Sequence, residues 1–192
     1  MRIRKKYRTE GPAHIVRNCS TDRCSKSIHG HTYHWELVLS GNKLDDAGML
    51  VDFGLLGNEI KAFFDSFDHC HMMWNREQEY EFFKDYSERF VGVRFSPSAE
   101  NMAIFALRVC HKIISNTDFA NNEGHIAIDS VRVHETETGW AEADMHDIGM
   151  VDYPLEAVYF KHFPLWSLIL KDVRFAKVKP VHTINVSKGL SL

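Results

Sequence analysis

The stretch CSTDRCSKSIHGHTYHWELVLSG, residues 19–41, decides how the chain folds. From His31 onward it reads as a β-strand, in which successive side chains point to opposite faces. One face then carries His29, His31, Tyr33, Trp35, Leu37 and Leu39; the other carries Thr32, His34, Glu36, Val38 and Ser40. The second face suits solvent. The first puts two imidazoles in register with an apolar stripe, which needs a reason. A lone inward histidine is commonly a core imidazole bonded to backbone. Two at i and i+2 aim both rings into one small volume, as the ligands of a metal ion must converge. Gly30 between them permits close approach of another backbone. His14, which follows Pro12 and Ala13, offers a third ligand from the preceding strand.

The chain has 192 residues, 44% of them hydrophobic, and a net charge of −3. That is enough for one sizeable core, with no bias toward nucleic acid or anionic membrane. The basic cluster Arg2, Arg4, Lys5, Lys6 and Arg8 fits the solvated face of an edge strand. No apolar run reaches the ~20 residues of a membrane span, and no signal peptide is evident, so a cytoplasmic location is expected. The four cysteines, Cys19, Cys24, Cys70 and Cys110, read as thiols or ligands, not as a disulfide framework.

Residues 2–17 suggest a strand pair broken at Gly11-Pro12, and MLVDF a short strand or extended entry to a helix. Leu55, Leu56, Ile60, Phe63, Phe64 and Phe67 recur at helical spacing and read as a core stripe. REQEYEFFKDYSERF is a second, more polar helical candidate. A third helix is expected from Ser96 as N-cap with Pro97 at the first helical position. HIAIDSVRVHETETGWAEA predicts two strands around a Thr-Gly turn. This order argues for an α+β fold: a four-stranded antiparallel sheet from strands near 3–17, 31–40, 126–135 and 140–144, with helices near 54–67 and 97–115 on one face. The expected domain is 1–145 with an insertion near 76–95. Residues 146–192 form an extension of no assigned role packed on the same domain.

Two metal models compete. In one, Cys19, Cys24, His29 and His31 close a four-ligand structural zinc site and the protein is a zinc-stabilised binding module. In the other, His14, His29 and His31 hold the ion and leave a cysteine for chemistry. The C-x4-C-x4-H-x-H spacing departs from the usual finger pattern, and the chain is large enough to fold without a metal staple. The second model is favoured.

The blocks PAHIVRNC with C-x4-HGHTY, GMLVDFGLL, FDHCHMMWN, PSAENMA and VRVHETETGWAEA occur in order over residues 12–143. Together they resemble the 6-pyruvoyl-tetrahydropterin synthase / 6-carboxytetrahydropterin synthase family. The resemblance implies a tunnelling fold, association of subunits through their sheets into an oligomeric barrel (a hexamer is expected), and active sites at subunit interfaces. It implies Zn²⁺ on His14, His29 and His31, a catalytic Cys24 with Cys19 as second candidate, an Asp68–His69 pair, and Glu135 anchoring the pterin. The implied substrate is 7,8-dihydroneopterin triphosphate. The implied product is 6-carboxytetrahydropterin, with acetaldehyde and triphosphate released, toward the modified tRNA base queuosine. The alternative is 6-pyruvoyl-tetrahydropterin, formed by triphosphate elimination, and the motifs do not separate the two.

The chemistry is consistent with those residue types. Removing a carbon-bound proton beside a hydroxyl needs a base and a Lewis acid. A free thiol ionises near pH ~8.5, so a cysteine base needs a cation or His69 nearby, with Asp68 supporting that histidine. Val131, Val133 and Glu135 share a strand face, which either brings a carboxylate next to the core or, at the strand end, turns it to solvent; parity alone does not separate the two. A carboxylate can accept the adjacent amino and ring N–H groups of a pterin together. Glu100 suits the first turn of its helix by the dipole and is expected to support the pocket. Arg17, Arg23 and Lys26 are cations near HGH that could meet a triphosphate or simply be solvated.

Overall fold

The apolar stripe opening at Tyr33 forms a core strand: Tyr33, Trp35, Leu37 and Leu39 are all fully buried. The computed structural model describes residues 1–163. In chain order its elements are β1 (Arg2–Thr9), β2 (Ala13–His14), α1 (Asp22–Lys26), β3 (His29–Gly30), β4 (Tyr33–Gly41), α2 (Glu59–Asp65), β5 (His71–Trp74), α3 (Tyr80–Tyr86), β6 (Phe90–Val93), α4 (Ala99–Ser115), β7 (Ile126–His134), β8 (Trp140–Ala143) and β9 (Tyr159–Phe160). The main sheet is antiparallel, in the order β1-β4-β7-β8. Helices α2 and α4 cover one face, as the alternation requires. Trp35 lies on Phe64 and Phe67, with ring centroids 5.0 and 5.5 Å away, and Phe63 meets Phe105 of α4 at 5.7 Å. Each large side chain buried this way contributes ~1.5–3 kcal/mol.

In β7, alternation alone gives conflicting phases, because Ile126 and Ile128 are even-numbered while Val131 and Val133 are odd. A register shift resolves it. Val38 pairs with Ser130 but Leu39 with Ile128, leaving Asp129 as the extra residue of a bulge. Both pairs of apolar residues therefore reach the core, and the bulge sets the phase in which Glu135 follows Val133.

Several expectations change. Residues 2–17 do not form a strand pair, because β2 leaves β1 and joins a second sheet, ordered β3-β2-β5-β6-β9. There β2 is antiparallel to β3 and parallel to β5. MLVDF is not a strand. The helix expected near 54–67 is a 3-10 turn, Leu55–Gly57, followed by α2, with the break at Asn58 (ψ −108°). The third helix is capped by Ser98, whose hydroxyl accepts from the Asn101 amide, and not by Ser96. The polar face of β4 is not all solvated: Glu36 is buried, bound by Lys6, Arg4 and His134. Burial alone would raise its carboxyl, yet Lys6 and then Arg4 hold it below the ordinary value. Beyond residue 145, Tyr153, Val158 and Phe160 pack into the same core; residues 164–192 lie outside the described part. No helix among the described residues is long and apolar enough to cross a membrane.

Candidate functional site

Strand pairing assembles the histidines. His14 of β2 stands directly opposite His29 of β3, and side chains so paired have Cβ atoms ~4.5–5.5 Å apart. His31 follows two residues on, pointing the same way. The ring centroids of His14 lie 4.7 Å from those of His29 and 5.2 Å from those of His31, and the last two are 5.1 Å apart. Gly30 is what lets the strands close: a Cβ there would lie 3.3 Å from the Pro12 carbonyl oxygen. Among the described residues, His14, His29 and His31 form the group whose ligating atoms all lie within 4.8 Å of one another. Neither cysteine sulfur belongs to it.

The surroundings select the tautomers. A carbonyl only accepts, so His14 Nδ1–H donates to Pro97 O at 2.7 Å and His29 Nδ1–H to Ser27 O at 3.0 Å. Each leaves an Nε2 lone pair. The Nε2 atoms of His14 and His31 are buried without a hydrogen-bond partner, a costly state that a shared cation would relieve. Glu135 Oε1 lies 3.6 Å from His14 Nε2 and 3.8 Å from His31 Nε2. Tyr33 donates its hydroxyl to the same carboxylate oxygen at 3.3 Å. Burial, and then the Glu135 charge, keep that phenol protonated. The residues fit a three-histidine metal centre with a carboxylate beside it.

A family model described as 6-pyruvoyl tetrahydropterin synthase matches residues 5–146. The chain belongs to this family. Proteins named 6-carboxy-5,6,7,8-tetrahydropterin synthase from two Helicobacter pylori strains are 44% and 42% identical to it over 138 residues, 71% of this chain and 69% of each relative. A protein of the same name from Aquifex aeolicus is 26% identical over 121 residues, 60% of this chain and 73% of that one. Among solved structures, an uncharacterized protein from Wolinella succinogenes superposes with a TM-score of 0.62 at 21% identity, covering 76% of this chain and 98% of that one. The Caenorhabditis elegans 6-pyruvoyl tetrahydropterin synthase gives 0.51 at 20% identity, covering 75% and 94%. At those identities the structures speak to the fold alone, the tunnelling fold. The chain is thus a pterin synthase, a lyase.

In this pterin synthase the other expected site residues lie on separate elements. Cys24 is half-buried in α1, its carbonyl accepting from the Val16 amide at 3.0 Å, while Cys19 Sγ–H donates to Thr21 O. Asp68 Oδ2 accepts from His69 Nδ1 at 2.6 Å. Burial raises the Asp68 carboxyl, but the Glu10 amide, His69 and Arg89 outweigh it and leave it below the ordinary value. The dyad opens on a groove lined by Asp65, Asp68, His69, Arg89 and Phe163, which includes none of the three metal-site histidines. Glu100 is exposed in the first turn of α4. Arg17 is occupied by Glu77 and Glu79, and Lys26 pairs with Asp22, so neither is a free cation for phosphate. His71 lies in β5, with Nδ1 2.6 Å from Ser87 Oγ. Sequence reasoning missed two participants: the Tyr33 hydroxyl, hidden within a hydrophobic stripe, and the Pro97 carbonyl, which carries no side-chain signal.

The buried imidazole links the site to stability. Burial drives His14 from its ordinary 6.5 down to about 4, assisted by its histidine neighbours and opposed by the Pro97 carbonyl. Between those values the unfolded chain binds the proton and the folded one does not, so stability falls as pH falls through this window. Metal-free protein is expected to lose on the order of 3 kcal/mol from this group between pH 7 and pH 4. Urea titrations of EDTA-treated wild type and His14→Gln across that range check it. Parallel stability curves for the two would exclude His14 as the source.

Proposed function

We propose that the protein is a zinc-dependent 6-carboxy-5,6,7,8-tetrahydropterin synthase, acting on 7,8-dihydroneopterin triphosphate and releasing acetaldehyde and triphosphate, in the route to queuosine. The observation that carries this reading is 44% identity over 71% of the chain to a Helicobacter pylori protein of that name. The three-histidine group with two unpartnered Nε2 atoms supports the zinc. Held by His14, His29 and His31, zinc supplies a Lewis acid for the side-chain oxygens of the substrate.

The chain's own groups do the rest. Glu135, fixed by the Tyr33 hydroxyl, accepts the amino and ring N–H groups of the pterin and places its side chain over the histidines. Cys24 takes the proton from the carbon beside the hydroxyl. His69, with Nδ1–H donated to Asp68, keeps Nε2 available to carry a proton to or from the reacting oxygen. Glu100 supports the pocket wall near Pro97. On this reading the dyad, whose groove is not lined by the three histidines, completes the site of a neighbouring subunit in a cytoplasmic homo-oligomer, a hexamer.

Product analysis tests the reaction. Purified zinc-loaded protein incubated with 7,8-dihydroneopterin triphosphate is expected to give acetaldehyde and 6-carboxytetrahydropterin in equal amounts. A pyruvoyl product with no acetaldehyde would move the enzyme to 6-pyruvoyl-tetrahydropterin synthesis, the activity named in the family description.

A further inference from the structure

Helix α1 has five residues, none buried, and no side-chain bond at its N-cap Thr21. A helix this short and without an apolar face does not hold its own position, yet it carries Cys24. Its carbonyls are held from outside. The Val16 amide donates to Cys24 O at 3.0 Å, and Arg17 Nη1 donates to Ser25 O at 3.0 Å. Arg17 is anchored in turn, with Nε donating to Glu77 Oε2 at 2.7 Å and Nη2 facing Glu79 at 3.3 Å. Glu77 is only 9% exposed, so its charge depends on Arg17 for compensation.

A second group needs similar help. His69 adopts φ +53°, a left-handed conformation that a side chain resists. The Asp68–His69 turn is fixed by the Glu10 amide on Asp68 Oδ1 at 2.7 Å, by the His69 amide on Glu10 O at 2.8 Å, and by Arg89. The Arg89 guanidinium donates to Asp68 O in the turn and, at 2.6 Å, to the carbonyl of Asp65, the last residue of α2. Glu77 and Glu79 precede α3 and Arg89 follows it, so one β5–α3–β6 unit reaches both places. The unit is itself clamped by Lys161, whose Nζ donates to the carbonyls of Lys84, Asp85 and Ser87.

We infer that the β5–α3–β6 unit is a positioning device for catalysis: Glu77 sets the Cys24 helix through Arg17, and Arg89 sets the Asp68–His69 turn. This rests on the reading of Cys24, Asp68 and His69 as the chemical groups. Arg17, Glu77 and Arg89 are positioning residues and touch no substrate. The guanidinium fork is essential to both contacts, since a lysine ammonium cannot hold two acceptors in that fixed geometry.

The test uses full-length zinc-loaded enzyme and the variants Glu77→Gln, Arg17→Lys and Arg89→Lys. Each is expected to lower kcat ~10–100-fold, the scale of a small misplacement of a reacting group, with KM and zinc content near wild type. A second readout needs no turnover. The rate at which iodoacetamide alkylates Cys24 should change at least severalfold in Glu77→Gln and Arg17→Lys but not in Arg89→Lys, while Cys19 stays constant in all three. Trypsin cleaves after Arg23, so the two cysteines are read on separate peptides. Unchanged kcat and unchanged Cys24 alkylation in Glu77→Gln and Arg17→Lys, beside an inactive Cys24→Ala, would overturn the inference alone. Full turnover in Cys24→Ala would instead overturn the catalytic reading beneath it.

Discussion

Zinc content is expected to fall to a small fraction of wild type in His29→Ala, and turnover with it by ~100-fold or more. A Lewis acid is worth several kcal/mol of transition-state stabilisation, and each 1.36 kcal/mol is tenfold in rate. His29 is the informative ligand to remove because it is half-buried at the end of a two-residue strand, so its truncation leaves no core cavity. Its Nδ1 bond to the Ser27 carbonyl is lost, but that carbonyl lies in an exposed turn where water can replace the donor. Metal analysis by mass spectrometry, alongside thermal melting of EDTA-treated wild type and variant, separates loss of ion from loss of fold. The metal-free pair should melt within a few degrees of each other while the metal-loaded pair diverges, since an ion that binds only the folded state stabilises it by mass action. Cys19→Ala should keep its zinc, because no cysteine sulfur joins the histidine group. Equal loss of zinc in Cys19→Ala would restore the closed four-ligand site and overturn the three-histidine reading.

How much of this was legible in sequence follows from the range of each signal. Strand β4 is legible because a period of two is short and its apolar members Tyr33, Trp35, Leu37 and Leu39 are unbroken. The histidines read as its continuation lie outside it, His29 in β3 of the other sheet. Helix α4 is legible through a different period, the three- and four-residue spacing of buried Met102, Ala106, Val109 and Ile113. The helix starts two residues later than the Ser96 cap expected from sequence, and the difference matters: with Ser98 as cap, the Pro97 carbonyl lies outside the helix and accepts from His14. The second sheet was invisible. Strands β2, β3 and β9 have two residues each, too few for a period, and the β2–β5 pairing joins Ala13 to His71 without a local signal. The Asp129 bulge was equally silent, although it permits Ile128 and Val131 to face one core. The Asp68–His69 pair could be named as adjacent residues. Its left-handed turn, and its dependence on Arg89, belong to tertiary structure alone.

Cys24→Ala is expected to abolish nearly all turnover while leaving everything else in place. If Cys24 takes the substrate proton, its removal costs the general-base contribution, typically ~10²–10⁴-fold. The fold should be untouched, because α1 buries no residue and its tether to Val16 uses the Cys24 carbonyl, not the sulfur. Zinc should remain stoichiometric, since the thiol is not in the histidine group. Pterin binding should persist through Glu135, so KM or the dissociation constant of a pterin analogue stays near wild type while kcat collapses, the pattern of a group whose contribution is confined to the transition state. Cys19→Ala is the matched control. Its sulfur donates to the Thr21 carbonyl at 3.3 Å within its own loop, a contact worth a fraction of a hydrogen bond between stronger partners, and its loss should cost only a few-fold in rate. The comparison is made at one pH, with zinc content and kcat measured on the same preparations. An inactive Cys19→Ala beside an active Cys24→Ala would transfer the base to Cys19. Loss of zinc in Cys24→Ala would make the thiol a ligand, and the proton would then need an acceptor outside the α1 helix.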